Sequence, residues 1–301
     1  MSRRHDPTLL ERYADAAEAS SATVIARYST SFGAAARLLE PESRRRIRSV
    51  YALVRVADEV VDGAAAEAGL TLDEQLEVLD GLEAETERAM ARGYSANLVV
   101  HAFAQVARET GFGTELTRPF FASMRRDLDP APFTPEEIGP YIHGSAEVVG
   151  LMCLATFLAA DAHGSIEAAD PDRRARLERG AVHLGAAFQK INFLRDLAVD
   201  WRTLGRNYFP GVDPDAFTEA DKTAILDDID RDLAIARDAL PELPRRARSA
   251  VAAAHGLFAS LSARCRTTPA AEIIATRIRV PDGEKLAIAV RSVLTTGGNR
   301  R

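Results

Sequence analysis

The stretch Val50-Tyr-Ala-Leu-Val-Arg-Val-Ala-Asp-Glu-Val-Val-Asp-Gly63 decides the reading of this chain. It carries no proline and stays apolar almost to its end, so it predicts a helix on which Asp58 and Asp62, four apart, project from neighbouring turns of one face. Val50, Leu53, Val54, Val56, Val60 and Val61 fill nearly every other direction around those turns, which predicts a buried helix. Like charges in such surroundings repel and need a compensating partner, for which a divalent cation is the leading candidate.

Far downstream, Phe188-Gln-Lys-Ile-Asn-Phe-Leu-Arg-Asp-Leu-Ala-Val-Asp200 repeats the pattern. Asn192, Asp196 and Asp200 follow one another at a spacing of four among Leu184, Ala187, Ile191, Phe193, Leu194 and Leu197. A single pair of acids four apart is more often a solvated face with Arg or Lys neighbours. Two stripes inside apolar runs, each with an arginine beside it (Arg55 and Arg195), favour a metal site. Stripes facing each other across a cavity would hold hard cations through oxygen, and Mg²⁺ takes only one or two carboxylates before filling its shell with water and phosphate oxygens. The implied ligand is a diphosphate.

The 301 residues, 47% of them apolar, suffice for one large core, and no Gly/Ser-rich or Pro-rich linker divides them. One domain over residues 1–301 is expected, with a polar lead over 1–20 and a polar tail over 295–301. A net charge of −6 disfavours nucleic acid as a partner, despite the basic patch of Arg44, Arg45, Arg46 and Arg48. Cys153 and Cys265 have no second Cys or His at zinc spacing and read as small apolar residues of a reducing compartment. The N-terminus has no secretory apolar core, and the longest apolar run, Val148 to Ala160, is shorter than the roughly 20 residues of a membrane span. A cytoplasmic protein, at most peripheral to a membrane, is expected.

The pattern predicts helices throughout. The first runs from about Ala22 to Leu39. The second is capped by Ser43 and carries Asp58 and Asp62. Further helices cover Leu72 to Arg92, Asn97 to Thr110, Thr114 to Leu128, and a central apolar one from Thr134 to Ala160 whose small residues (Gly144, Ser145, Ala146, Gly150) leave space. A long helix over Arg173 to Trp201 carries the second stripe, and the tail adds Glu219 to Ala239, Pro244 to Cys265, Pro269 to Ile278 and a last helix to Leu294. No series of alternating strands stands in the chain, so the fold class is an all-α bundle.

These residues resemble the squalene/phytoene synthase family, the head-to-head isoprenoid synthases, over nearly the whole chain. The pieces stand in family order: Tyr28-Ser-Thr-Ser-Phe32, Tyr51-Ala-Leu-Val-Arg55, Asp58-Glu-Val-Val-Asp62, Tyr141-Ile-His-Gly144 leading to Val149-Gly150, Gln189 to Asp200, and Gly205-Arg-Asn-Tyr-Phe-Pro210. The resemblance implies an all-α, single-domain isoprenoid-synthase bundle around a central cavity. It implies that Asp58, Asp62, Asn192, Asp196 and Asp200 hold Mg²⁺, with Mn²⁺ as a substitute, and the substrate diphosphates, the four aspartates being catalytic. Arg55, Gln189 and Arg195 match substrate contacts, Tyr28, Ser29, Thr30 and Ser31 match a segment that touches a diphosphate, and Tyr51 and Tyr141 match aromatic positions on the cavity wall. Tyr51 and Tyr141 also read as plain core residues, Arg55 and Arg195 as ion-pair partners, and Arg206 as either a phosphate contact or a surface residue. Three departures from the family stand out: Glu147 where Gly is common, Phe258 where Tyr is common, and a basic pair, Arg277 and Lys285, that aligns loosely.

By resemblance, one allylic diphosphate ionises, the double bond of a second attacks it to give a cyclopropylcarbinyl diphosphate, and a second ionisation with rearrangement joins the chains. Loss of a proton gives phytoene from two geranylgeranyl diphosphates, the first committed step of carotenoid biosynthesis. The alternatives are a C30 enzyme condensing two farnesyl diphosphates to squalene, dehydrosqualene or presqualene diphosphate, and a catalytically silent scaffold. No Gly-rich dinucleotide fingerprint appears and no anchor follows the last helix, so no NADPH is expected. Buried like charges, which a scaffold has no need to keep, argue for an enzyme.

Overall fold

The computed structural model describes residues 6–29, 35–160 and 170–297. Among the described residues every regular element is helical. Helix α1 (Leu9–Tyr28) starts on a capping box in which Thr8 and Glu11 satisfy each other's backbone N–H groups. It therefore takes in most of the lead expected to be merely polar, and buries Ala17, Ser21 and Ile25. It ends at Ser29 instead of continuing to Leu39, and Thr30 and Ser31 lie outside the described residues. Helix α2 (Pro41–Val61) starts two residues before the expected cap: Glu40 is the N-cap, Pro41 occupies the first turn, where its missing N–H costs nothing, and Ser43 is buried inside the helix.

A short turn of helix, α3 (Ala64–Glu67), leads to α4 (Leu72–Arg92), α5 (Leu98–Thr110) and α6 (Thr114–Asp127). These begin and end within a residue of where the Thr71/Glu74 box, the Asn97 cap, Gly93 and Gly111 place them. Helix α7 (Pro135–Ile142) passes through a wide π-helical turn (His143–Glu147) into α8 (Val148–Ala160). The turn joins them into one 26-residue rod, long and apolar enough to cross a membrane. That corrects the shorter length read from the apolar run alone. The rod packs on α2, α5, α6 and α9, as a bundle's central helix does.

Helix α9 (Pro171–Val199) ends in a second π-helical turn (Asp200–Leu204), and α10 (Glu219–Ala239) and α11 (Arg245–Thr267) follow. The helix expected over Pro269 to Ile278 is only α12 (Ala270–Ile273), after which an irregular segment leads to α13 (Asp282–Gly297). Two cores result. The first gathers Leu53, Phe103, Phe120, Phe121 and Met152, the second Ile191, Leu194, Leu226, Ile229 and Cys265. Both cysteines are unpaired.

The small residues of the central rod serve close packing as well as space. A side chain on Gly150 would start 2.5 Å from the carbonyl oxygen of Ala181, and one on Gly185 would start 2.6 Å from that of Ala146. Both glycines thus let α8 and α9 approach backbone to backbone. Gly150→Leu should lower stability by about 1–3 kcal/mol through overpacking. Gly139→Ala, where nothing lies within 4 Å, should raise it by up to about 1 kcal/mol through helix propensity. Thermal unfolding of both variants checks the contrast.

Candidate active site

The acids of the first stripe occupy the end of α2. Val50, Leu53, Ala57, Val60 and Val61 take the buried face, which leaves Asp58 28% and Asp62 46% exposed at the side chain. Burial, then the charge of Asp62, holds the Asp58 carboxyl well above the usual carboxylate range, and Arg55 at 3.8 Å opposes the shift. Arg55 also pairs with Glu59 and stands 4.6 Å over the ring of Tyr28. Its Nε is buried with no hydrogen-bond partner.

On α9, Asp196 is gripped twice. Arg195 reaches it with Nε at 3.0 Å and Nη2 at 2.5 Å, and Arg277 with 2.9 Å and 3.2 Å contacts from the irregular segment before α13. Asp200 opens the π-helical turn, a widening that resets its direction from the expected straight stripe. Its carboxyl is pushed up to about 7 by burial, then by Asp196 and also by Asp62, against the charge of Arg206. The two stripes converge at Arg206: its backbone N–H donates to the Asp200 carbonyl at 3.1 Å and its Nη1 lies 3.1 Å from Asp62 Oδ1. It is neither a surface residue nor, in this arrangement, a cavity one.

Beside the stripes is a cavity of about 800 Å³ enclosed by α2, α8, α9, α11 and the segment before α13. Its lining is largely apolar and includes Ala36, Leu39, Phe157, Leu184 and Leu257, and five cations, Arg55, Arg195, Arg277, Arg279 and Lys285, line it with no acid among the lining residues. Tyr28, Ser29, Tyr51, Asn192, Arg55 and Arg195 all stand on the wall. Gln189 and the four aspartates are on the flanking helix faces and off the wall itself. Tyr141 also lies off the wall: it is buried against Phe133, Phe193 and Tyr208, and its hydroxyl donates to Asp127 Oδ1 at 2.7 Å. The Glu147 carboxylate pairs with His143 Nδ1 at 2.9 Å. Phe258 stacks on Phe188, ring centroids 3.6 Å apart, and the pair makes an apolar stretch of wall where a tyrosine would bring a hydroxyl.

The sequence profile of the squalene/phytoene synthase family matches residues 25–280. The chain belongs to the squalene/phytoene synthase family. Members of this family are prenyltransferases. Similar relatives include a 15-cis-phytoene synthase of Paracoccus sp. (strain N81106 / MBIC 01143), 29% identical over 263 residues that cover 82% of this chain and 81% of the relative. A phytoene synthase of Mycobacterium tuberculosis is 29% identical over 255 residues, covering 78% and 76%. Among solved structures, a dehydrosqualene synthase in complex with ligand superposes with a TM-score of 0.75 at 19% identity, covering 95% of this chain and 98% of the other. A squalene synthase from Alicyclobacillus acidocaldarius gives 0.69 at 18% identity, covering 84% and 94%. These structural likenesses show that the squalene/phytoene synthase chain has the all-α fold expected of it.

Two residues of this squalene/phytoene synthase site escape sequence reading. Arg279 reaches the cavity because α12 is short. Asp127, the last residue of α6, is 7% exposed and has no acid four residues away. Its one signal is misplacement, since a carboxylate at a helix C-terminus opposes the helix dipole. Burial pushes the Asp127 carboxyl up to about 7, against the Arg206 charge and the Tyr141 hydrogen bond, with Asp62 adding to the rise. The folded protein thus keeps a proton that the unfolded chain releases near 3.8. This group therefore favours the folded state most at acid pH, and that contribution is lost as pH rises to about 7. Asp127→Asn should flatten the decline in melting temperature across that window, and an unchanged profile would assign the proton elsewhere.

Proposed function

We propose that this squalene/phytoene synthase family member joins two geranylgeranyl diphosphates head to head and releases phytoene. The observation that carries the reading is the polarity of the cavity: a cationic end for diphosphate and an apolar depth for prenyl chains, in one volume of about 800 Å³. Arg55, Arg195, Arg277, Arg279 and Lys285 neutralise the negative charge that grows on a departing diphosphate. The buried, unpartnered Nε of Arg55 is a donor already desolvated for that purpose. Leu39, Phe157, Leu184 and the Phe188–Phe258 stack exclude water that would quench the allylic cation.

The residues present fit Mg²⁺. The proposed donors, Asp58, Asp62, Asn192, Asp196 and Asp200, are all hard oxygen ligands, and the mutual repulsion that raises Asp58 and Asp200 is what a cation would relieve. No three His, Cys, Asp or Glu side chains among the described residues form a cage by themselves. The proposed ion is one shared with the substrate diphosphate, whose oxygens complete its shell. When bound, Mg²⁺ would act as a Lewis acid on the leaving group, and Mn²⁺ would substitute. Cytoplasmic placement, peripheral to a membrane that supplies the apolar substrate, accords with the central packing of the one described span-length helix.

The choice of C20 over C15 is supported by the names of the curated relatives and by small side chains on the cavity wall, Ala35, Ala36 and Ala250, which leave it depth. Five further carbons of apolar chain are worth about 0.8 kcal/mol each on burial. Incubating purified protein with C15 and C20 diphosphates should give phytoene from the C20 substrate, and exclusive conversion of C15 to a C30 hydrocarbon would replace this reading with the C30 one. Ala36→Phe should raise the ratio of C15 to C20 use by filling that depth. Equal loss on both, with a falling melting temperature, would show that Ala36 serves the packing with Ile47 and Phe157. Asp58→Asn and Asp196→Asn should each lower turnover by roughly 100-fold or more with the helical signal intact, as should a chelator. Normal turnover in either variant, or in chelator, would remove the metal from the mechanism.

A further inference from the structure

Arg206 meets three acceptors at the ends of two helices, α2 and α6. Its Nη1 lies 3.1 Å from Asp62 Oδ1, and its Nη2 donates to the carbonyl of Asp127 at 2.5 Å and faces that of Val61 at 3.4 Å. Its side chain is only 14% exposed, so the guanidinium is retained in a largely dry place where an unpaired charge would be costly. Asp127 secures it. The Asp127 Oδ1 stands 3.9 Å from Arg206 Nη1 and accepts from the hydroxyls of Tyr141 at 2.7 Å and Tyr208 at 3.4 Å. The Tyr208 ring in turn stacks on Phe193 of α9, centroids 4.0 Å apart and 9° from parallel. A continuous set of contacts therefore runs from the second acid helix, through Tyr208, Asp127 and Arg206, to the last acid of the first.

We propose that Arg206, anchored by Asp127, is a positioning residue that aims Asp62: the guanidinium occupies Oδ1 and leaves Oδ2, which no described residue bonds, as the oxygen offered to a cation. The inference rests on the metal reading above. A planar fork suits acceptors spread over the ends of α2 and α6, because its two Nη donors point in fixed, different directions whereas an ammonium is a single compact charge. Asp127 gains nothing for its own helix by standing at a C-terminus; its carbonyl and its side chain, held by Tyr141 and Tyr208, serve the arginine. Outer partners of this kind orient metal ligands, and their loss commonly weakens metal binding about 10–100-fold.

The test is calorimetric titration of the full chain with Mn²⁺ in the presence of inorganic diphosphate, with melting temperature measured in parallel. Asp62→Asn should weaken Mn²⁺ binding. Arg206→Lys, which keeps the charge and loses the fork, should weaken it about 10–100-fold while the protein remains folded. Asp127→Asn should act in the same direction, and Tyr141→Phe, which removes one hydroxyl from the anchor, provides a gentler variant if Asp127→Asn does not fold. A merely structural role would lower the melting temperature and leave Mn²⁺ affinity of the folded protein at the wild-type value. That result in Arg206→Lys, with Asp62→Asn weakened, overturns the positioning role and leaves the metal reading standing. Wild-type affinity in Asp62→Asn overturns both.

Discussion

Everything in this molecule is arranged around carboxylates that must be held near one another against their own repulsion. Asp58 and Asp62 share a face of α2, Asp200 feels both Asp196 and Asp62, and burial raises the cost of every charge among them. A loose scaffold would let such groups drift apart. Here they are fixed by two devices: guanidinium groups that pair with individual acids, Arg206 on Asp62 and Arg195 with Arg277 on Asp196, and helices packed so closely that a side chain at Gly150 would meet the backbone of α9. Tight packing converts repulsion into a stored preference for positive charge.

The same arrangement separates the signs. The whole chain carries a net charge of −6, yet the cavity wall bears five cations and no acid among its lining residues. Local placement decides what enters, since the field inside a low-dielectric cleft is set by its nearest groups. The acids flank the cavity and the arginines line it, so the wall offers neutralising charge to an anionic head and aliphatic and Phe side chains to an apolar tail. Membership of the squalene/phytoene synthase family and the chemistry of the cavity thus point to the same class of amphiphilic substrate.

Much of this was legible in the sequence because helices announce themselves through short-range rules. A spacing of four places Asp58 with Asp62 and Asn192 with Asp196 on common faces whatever the surroundings. The helix starts read at Leu72, Asn97 and Glu219 lie within a residue of those observed, where Thr71, Asn97 and Thr218 cap the helices. Where two local signals competed, position was misread: Pro41 outranked Ser43 as the start of α2, and the Thr8 box extended α1 into a stretch judged only by its polarity.

Contacts between distant segments follow no such rule. Asp127 and Asp62 are brought to one arginine by the packing of α2, α6 and the turn after α9, and neither spacing nor composition encodes that meeting. The turn of Tyr141 away from the cavity toward Asp127, the arrival of Arg279 at the wall, and the widening of the helix at Asp200 likewise depend on which neighbour each side chain finds. Sequence alone determined the helical class, the two acid stripes and the family to which the chain belongs, because period and local capping act within a few residues. Tertiary structure decided which carboxylates converge, which cations face the cavity and which aromatic ring turns inward, because burial and charge are properties of a neighbourhood assembled from segments more than a hundred residues apart.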